Sequence, residues 1–138
     1  MPEIRRATSA DLPAVAAIQA DSPEAAQWNS TDYLDHEFLA AISEKQVAGF
    51  VVWRQTAPGE REILNLAVKP DLRRKGVARS LVGAVLADFA GDIFLEVRAS
   101  NCNAQEFYKS MGFQVFSVRE KYYHSPLEAA IVLKFHSC

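Results

Sequence analysis

The segment that most constrains the fold lies between residues 62 and 97 and combines a strand, a basic loop, a helix and a second strand. Glu62–Val68 predicts the first strand, which Pro70 ends. After Gly76, apolar residues recur at helical spacing, at Leu81, Val82, Val85, Leu86 and Phe89. Ile93–Val97 then predicts a strand with Ile93, Leu95 and Val97 on one face. This order predicts a sheet with helices packed on its faces.

The rest of the chain adds strands on both sides of this segment. They are predicted at Glu3–Ala7, Glu37–Ser43, Val47–Gln55, Phe113–Val118 and Ala130–Phe135, with a polar loop between the last two. No linker or internal repeat divides the chain, so residues 1–138 are expected to form a single domain. The predicted class is α/β, with a mixed central sheet of about six to seven strands flanked by about four helices.

Helix boundaries follow from the positions of capping residues. Thr8 or Ser9 is predicted to cap the first helix. Gly91 is predicted to stop the helix that follows the basic loop. A third helix is expected to begin at a cap within Ser100–Asn103 and to be closed by Gly112.

Charge and composition argue against several classes of protein. The formal net charge of −2 argues against bulk nucleic-acid binding. No apolar run approaches the roughly 20 residues that a membrane helix needs, so no membrane association is expected. Cys102 and Cys138, without a signal sequence, predict free thiols in a reducing compartment and a cytoplasmic location. His36, His124 and His136 show no metal-ligand spacing, so no metal is expected.

The loop before the central helix is strongly basic. Residues 69–79 contain five of the fifteen Lys and Arg residues and a single acid, Asp71. A helix N-terminus presents unpaired N–H groups and a partial positive charge, and Gly76 and the small Ala78 let an anion come close to the backbone. The segment therefore indicates either a pyrophosphate-binding loop or a solvated basic loop before an ordinary helix. It is neither a Walker loop nor a GxGxxG motif.

Several motifs resemble one known family. Arg73-x-x-Gly76-x-Ala78 is similar to the acetyl-CoA pyrophosphate motif of the GNAT family of N-acetyltransferases. Leu95–Asn101 reads LEVRASN and Phe107–Phe113 reads FYKSMGF, and both resemble the RimI branch, the ribosomal-protein-alanine N-acetyltransferases. The run Asn65-Leu66-Ala67-Val68-x-Pro70 and the paired Tyr122 and Tyr123 fit the same branch. The resemblance covers roughly residues 62–135, and the first 60 residues match only in outline.

This resemblance implies how acetyl-CoA is bound. The cofactor would lie in the splay between the fourth and fifth strands of a GNAT fold. Backbone groups of Leu66, Ala67 and Val68 would bind its pantetheine arm as if it were an added strand. Its pyrophosphate would be held by Arg73, Arg74, Lys75, Gly76, Val77, Ala78 and Arg79. Asn101 would help to bind the cofactor.

The resemblance also implies catalytic roles for two residues. Glu96 would be the general base that takes a proton from the amine, and Tyr108 the general acid that protonates the leaving thiolate. A free α-amine has a pKa near 7.7–8.0 and lysine one of about 10.4, so deprotonation at pH 7 costs on the order of 1 kcal/mol for the first and 4–5 for the second. From the residues alone, a solvent-facing side chain is the favoured interpretation of Glu96 and a core aromatic that of Tyr108.

The expected function is direct acetyl transfer to a protein N-terminal amine, with the N-terminal alanine of a ribosomal protein as the leading acceptor. The sequence departs from the RimI branch on the acceptor side, where Asp21–Asp35 is short and Glu128-Ala129-Ala130 lacks one acid. Transfer to a lysine or a small amine therefore stays open, as does a non-catalytic module that binds CoA or RNA. Trp28 either borders the acceptor groove or anchors its loop, and Arg98 is either a site residue or half of an ion pair. A monomer or a dimer is expected.

Overall fold

The computed structural model describes residues 2–23, 27–124 and 127–137. Its strands are β1 (Glu3–Arg6), β2 (Glu37–Ser43), β3 (Gln46–Ala57), β4 (Glu60–Val68), β5 (Gly91–Arg98), β6 (Gln114–His124) and β7 (Leu127–Ser137). Its α-helices are α1 (Leu12–Ala20), α2 (Val77–Leu86) and α3 (Cys102–Ser110), with 3-10 turns at Ser9–Asp11, Ser30–Asp35 and Pro70–Leu72. None of the helices in these ranges has the length and apolarity to cross a membrane.

The strands form one mixed sheet in the order β1-β2-β3-β4-β5-β7-β6, which confirms the predicted architecture. β4 and β5 pair in parallel, through Glu60–Glu62 and Asp92–Phe94, whereas β5 and β6 each pair antiparallel with β7. The chain forms two compact units, Met1–Arg54 with Leu64–Asp88 and Gln55–Ile63 with Phe89–Cys138. The expectation that the chain is a single domain stays a prediction.

The first unit is built around buried aromatic rings. Tyr33 lies edge-on to Phe38 with ring centroids 5.6 Å apart, and its centroid is 5.7 Å from that of Phe50. The buried residues that belong to the same cluster include Ala7, Val15, Ile18, Ala40, Val52 and Ala67. Removal of this apolar area from water is the main stabilising contribution to the unit.

Thr8 caps the 3-10 turn that precedes α1, whereas α1 itself begins at Leu12 with Asp11 as its N-cap. The Asp11 carboxylate accepts a hydrogen bond from the Thr8 N–H at 2.8 Å, which forms a capping box around the first 3-10 turn. Arg5 donates two further hydrogen bonds to this carboxylate, at 2.9 and 3.0 Å. The hydrogen bonds from Arg5 hold the pKa of Asp11 below its usual range.

α2 contains the predicted apolar stripe but is shorter than predicted. Its buried residues are Val77, Leu81, Val82 and Val85. The prediction that the helix reaches Phe89 and is stopped by Gly91 is wrong, because it ends at Leu86 and Gly91 is the first residue of β5. The Arg61 guanidinium lies 4.0 Å from the centre of the Phe89 ring, and a Cβ on Gly91 would lie 2.2 Å from the Gly59 carbonyl oxygen. Contacts in the second unit therefore hold both residues outside the helix.

The second unit contains a long hairpin of β6 and β7. The prediction of a polar loop between Val118 and Ala130 is wrong, because β6 extends to His124 and β7 starts at Leu127. Pairing continues from Arg119 opposite Ala130 to His124 opposite Leu127, since a backbone ladder does not require apolar side chains. Residues 125 and 126, the side chains of the paired tyrosines, and Cys138 lie outside the described part of the chain.

α3 begins and ends at the predicted residues. Asn101 is its N-cap, and its Oδ1 accepts a hydrogen bond from the Ala104 N–H at 3.1 Å. Gly112 follows the helix with a φ of 103° and donates its N–H to the Lys109 carbonyl at 3.0 Å. A left-handed residue at this point is typical of a glycine helix stop.

Candidate functional site

The loop between β4 and α2 places most of the predicted cofactor-binding residues together in the first unit. After Val68 the chain makes the 3-10 turn Pro70–Leu72 and reaches Gly76, which has a left-handed φ of 85°. A Cβ built on Gly76 would meet no atom within 4 Å, so the space beside this residue is open. Such a glycine lets a ligand approach the backbone closely.

The N-terminus of α2 offers backbone donors to this open space. The first backbone hydrogen bond of the helix runs from the Ser80 N–H to the Gly76 carbonyl at 3.0 Å. The N–H groups of Val77 and Ala78 precede that bond and have no acceptor within the helix. Among the described residues, no side chain caps this helix end. These donors and the helix dipole together favour a bound anion such as a pyrophosphate.

The cations of the loop divide into two groups. Arg74 and Lys75 are exposed and add positive charge beside Gly76. Arg73 is turned back onto its own unit, where its Nε donates to the Val68 carbonyl at 3.1 Å. Its Nη2 donates to the carbonyl of Asp21 at 3.1 Å and to Ser22 Oγ at 3.0 Å. Arg73 therefore holds the loop to the end of α1, and its role in cofactor binding stays a prediction.

The end of β4 is packed closely against the preceding strand. A Cβ on Gly49 of β3 would lie 2.8 Å from the Ala67 carbonyl oxygen and 3.2 Å from side-chain atoms of Val68 and Val77. Only glycine allows this approach, which brings β3 directly behind the predicted pantetheine strand. Gly49 carries no role in the sequence predictions, although a glycine inside a strand is a recognised signal of close backbone approach.

Glu96 lies in the second unit on the face of β5 opposite the buried side chains of Ile93, Leu95 and Val97, as predicted. Its Oε1 is 3.2 Å from Nη1 of Arg119, and its side chain is only 19% exposed. Arg119 reaches it from β6 across β7, where its own register partner is the small Ala130. A carboxylate has several acceptor positions, so one ion pair leaves Glu96 able to accept a proton.

Tyr108 lies on α3 in the second unit and is 6% exposed. Its ring is packed edge-on against Phe107 and Phe113, with centroids 5.1 and 5.4 Å away. Burial raises the pKa of Tyr108, so the hydroxyl keeps its proton at neutral pH and is available as a donor.

The turn between β5 and α3 is held by Glu128. Its carboxylate accepts from Arg98 Nη1 at 3.0 Å and from the Ser100 N–H and hydroxyl at 3.0 and 3.1 Å. Burial works to raise the pKa of Glu128, but the hydrogen bonds from Arg98 and Ser100 prevail and lower it. Arg98 thus forms an ion pair, which was one of its two predicted roles. The hydrogen bonds of Glu128 hold the turn that contains Asn101, the helix cap.

The predicted site residues therefore fall into two groups, each in its own unit. Leu66 to Arg79 lie along one continuous segment of the first unit, and Glu96, Asn101 and Tyr108 lie on β5 and α3 of the second. Sequence reasoning assigned no contact to Arg119, because an ion pair across an intervening strand depends on register that the sequence does not show. Within the described residues, no group of His, Cys, Asp and Glu is arranged to hold a metal ion.

Comparison with known proteins identifies one family. The profile described as "Acetyltransferase (GNAT) family" matches residues 2–113. The chain is 29% identical over 125 residues to a ribosomal-protein-alanine N-acetyltransferase of Salmonella typhimurium. The aligned part covers 84% of this chain and 83% of that protein. It is 44% identical over 78 residues to an uncharacterized protein of Mycobacterium leprae, which covers 55% of this chain but only 21% of that protein.

A solved structure shows the same similarity. The crystal structure of the ribosomal-protein-alanine N-acetyltransferase of Escherichia coli superposes with a TM-score of 0.84 at 27% sequence identity. The superposition covers 100% of this chain and 96% of that one. The likeness therefore extends over the first 60 residues, where the sequence motifs match only in outline.

Proposed function

The chain belongs to the GNAT acetyltransferase family, and from that premise we propose that it transfers the acetyl group of acetyl-CoA directly to the N-terminal amine of a protein. The observation that carries this proposal is the open, uncapped N-terminus of α2 beside Gly76. It lies within the basic segment whose motif resembles the pyrophosphate site of the family. Acetyl-CoA supplies a thioester carbonyl that an uncharged amine attacks, with thiolate as the leaving group.

The residues of the first unit fit the anionic part of this cofactor. The N–H groups of Val77, Ala78 and Arg79 provide directed donors, and Arg74 and Lys75 provide charge. The backbone of Leu66, Ala67 and Val68 is the proposed binding strand for the pantetheine arm. Each of these groups acts by binding and orienting the cofactor.

Glu96 is the proposed general base. It takes the proton that the ammonium group of the acceptor must lose before the nitrogen can form its bond to the carbonyl carbon. The Arg119 ion pair restrains the carboxylate through one oxygen, which favours a fixed orientation of the other. At neutral pH this task costs on the order of 1 kcal/mol for an α-amine, within reach of one carboxylate.

Tyr108 is the proposed general acid, and Asn101 is proposed to help bind the cofactor. As the carbon–sulfur bond breaks, the sulfur gains an electron pair, which the protonated phenol can stabilise by donating a hydrogen bond and then its proton. At neutral pH the phenol is protonated, as an unperturbed tyrosine also is, so the proton to be donated is present. The rings of Phe107 and Phe113 pack edge-on against the Tyr108 ring.

The acceptor is proposed from the relatives. The similar proteins of Salmonella typhimurium and Escherichia coli are named for a ribosomal-protein alanine, which supports an N-terminal alanine of a ribosomal protein as the acceptor here. Such an acceptor would be met in the cytoplasm, which is also the location predicted from the cysteines. A lysine or a small amine is the alternative within the same family.

Acetyl-CoA turnover should be measured against N-terminal peptides, a lysine peptide with a blocked N-terminus, and small amines. We expect the N-terminal peptides, with alanine first, to be acetylated fastest. Acetyl-CoA should also raise the melting temperature of the unmutated protein, and Gly76→Asp should remove most of that shift by adding bulk and negative charge. No thermal shift at millimolar acetyl-CoA would refute the cofactor assignment, whereas acetylation of lysine alone would refute only the acceptor.

A further inference from the structure

A buried polar network lies within the aromatic core of the first unit. Its members are Gln19 of α1, Tyr33 of the second 3-10 turn and Asn65 of β4, all of them buried. A network of three polar side chains is unusual in a core that is otherwise apolar, because each must be fully hydrogen-bonded to avoid a large desolvation cost. Here every one of them has partners.

The hydrogen bonds join β4 to the segment after α1. Asn65 Nδ2 donates to the Tyr33 hydroxyl at 2.8 Å and to Gln19 Oε1 at 3.3 Å. The Tyr33 hydroxyl donates in turn to Gln19 Oε1. Gln19 Nε2 then donates to the backbone carbonyl of Trp28 at 2.7 Å. The amide of Asn65 is thus held in one orientation by two different elements.

The other end of the Asn65 side chain acts on the backbone of its own strand. Asn65 Oδ1 accepts a hydrogen bond from the Leu66 N–H at 3.0 Å. This bond ties the peptide plane before Leu66 to a side chain that the network has already fixed. Leu66, Ala67 and Val68 are the residues whose backbone groups are proposed to bind the pantetheine arm.

We propose that Asn65 is a positioning residue for acetyl-CoA: it holds the Leu66 peptide in the orientation that the pantetheine arm requires. The inference rests on the proposed function, because it assigns a ligand to the β4 backbone. Its physical basis is preorganisation, since a strand that is already ordered loses less conformational entropy when the ligand binds. A network that served stability alone would be replaceable by apolar side chains of similar shape.

Two substitutions of Asn65 separate positioning from stability. Asn65→Leu removes the acceptor of the Leu66 N–H but puts an apolar side chain into an apolar core. Asn65→Asp keeps an acceptor for the Leu66 N–H but buries a carboxylate, which is the larger penalty on folding.

Tyr33→Phe breaks the hydrogen bonds of the hydroxyl and leaves the bond between Asn65 and Leu66 in place. Ile18→Val, at the neighbouring position to Gln19, is a control that loosens the same core without removing a hydrogen bond.

The measurements are the acetyl-CoA Kd by calorimetry and the free energy of unfolding by urea denaturation. We expect Asn65→Leu to raise Kd about tenfold, equivalent to about 1.4 kcal/mol, and Asn65→Asp to raise it less. The order for stability should be the reverse, with Asn65→Asp the less stable of the two. Tyr33→Phe should lower stability and raise Kd less than Asn65→Leu, because Gln19 still holds the Asn65 amide. Ile18→Val should lower stability and leave Kd within about twofold of the unmutated value.

The outcomes distinguish this inference from the proposed function. If the unmutated protein does not bind acetyl-CoA, the proposed function fails. If it binds acetyl-CoA and Asn65→Leu binds equally well, the positioning role fails while the proposed function stands. If Kd rises in all four variants in proportion to their loss of stability, the network is structural only. Should Asn65→Asp fail to fold, the comparison of Asn65→Leu with Ile18→Val still decides the question.

Discussion

Replacement of Tyr108 by phenylalanine should separate a catalytic hydroxyl from a core aromatic. The ring of Tyr108 is packed against Phe107 and Phe113, and phenylalanine preserves that packing. Phenylalanine lacks only the hydroxyl, so the substitution opens no large cavity in this packing. The free energy of unfolding should therefore change by less than about 1 kcal/mol.

The effect on catalysis should be far larger. A general acid contributes about 10²–10⁴-fold to rate, equivalent to about 3–5 kcal/mol of transition-state stabilisation. We therefore expect kcat for Tyr108→Phe to fall by that factor, with the acetyl-CoA Kd nearly unchanged. Steady-state kinetics with an N-terminal peptide, calorimetry of acetyl-CoA binding and urea denaturation measure the three quantities.

Phe113→Leu provides the matched control, because Phe113 is buried against the same ring and carries no polar group. It should lower the free energy of unfolding by about 1–2 kcal/mol and leave kcat close to normal. If instead Tyr108→Phe keeps normal turnover per folded molecule, Tyr108 is a core aromatic and the assignment of the acid is wrong.

Four further results are expected. Burial raises the folded pKa of Tyr108 above its unfolded value of about 10. The contribution of Tyr108 to stability is therefore complete below that pH and is lost as the pH rises further, so the free energy of unfolding should fall less steeply at alkaline pH in Tyr108→Phe. Glu96→Gln keeps an acceptor for Arg119 and should lose turnover at neutral pH. Turnover should recover as the pH is raised, with an apparent pKa near 8 if the acceptor is a peptide N-terminus or near 10 if it is lysine. Normal turnover at pH 7 would show that Glu96 is not the base. The hydrogen bonds from Arg5 lower the pKa of Asp11, so the contribution of Asp11 to stability is present above its unfolded pKa and lost as the pH falls. In Asp11→Asn the loss of stability with falling pH, followed by circular dichroism, should therefore be less steep. RNA should bind only weakly and with a steep salt dependence, and tight binding at physiological salt would favour the module hypothesis.

The local sequence predicted the conformation of the loop between β4 and α2 well because its elements are set by neighbouring residues. A proline ends β4, a glycine takes a left-handed φ, and the apolar spacing that follows is helical. The cap of α3 at Asn101 and its stop at Gly112 are of the same kind. Each depends on backbone geometry that one or two residue types satisfy best.

The errors arose where tertiary contacts or strand pairing overrule local pattern. Phe89 continues the helical spacing but lies against Arg61, and Gly91 resembles a helix stop but is needed where Gly59 approaches. The segment between Val118 and Ala130 is polar, yet pairing with the opposite strand keeps it extended. For Phe89 and Gly91 the deciding partner is far away in the sequence, whereas the hairpin is decided by backbone pairing with the neighbouring strand, which side-chain polarity does not show.

The sequence by itself determined which chemistry is available: a basic glycine-containing loop at a helix N-terminus, a carboxylate opposite a buried strand face, and a tyrosine on an apolar helical face. Those features depend on local spacing, because side-chain direction in helices and strands repeats with a fixed period. Only the tertiary structure decided how the groups are restrained. The pairing of Glu96 with Arg119 depends on the registers of β5, β6 and β7, and the orientation of the Asn65 amide depends on α1 and the turn at Tyr33. Hydrogen bonds and ion pairs form only at short range, and folding alone brings residues so far apart in sequence within that range.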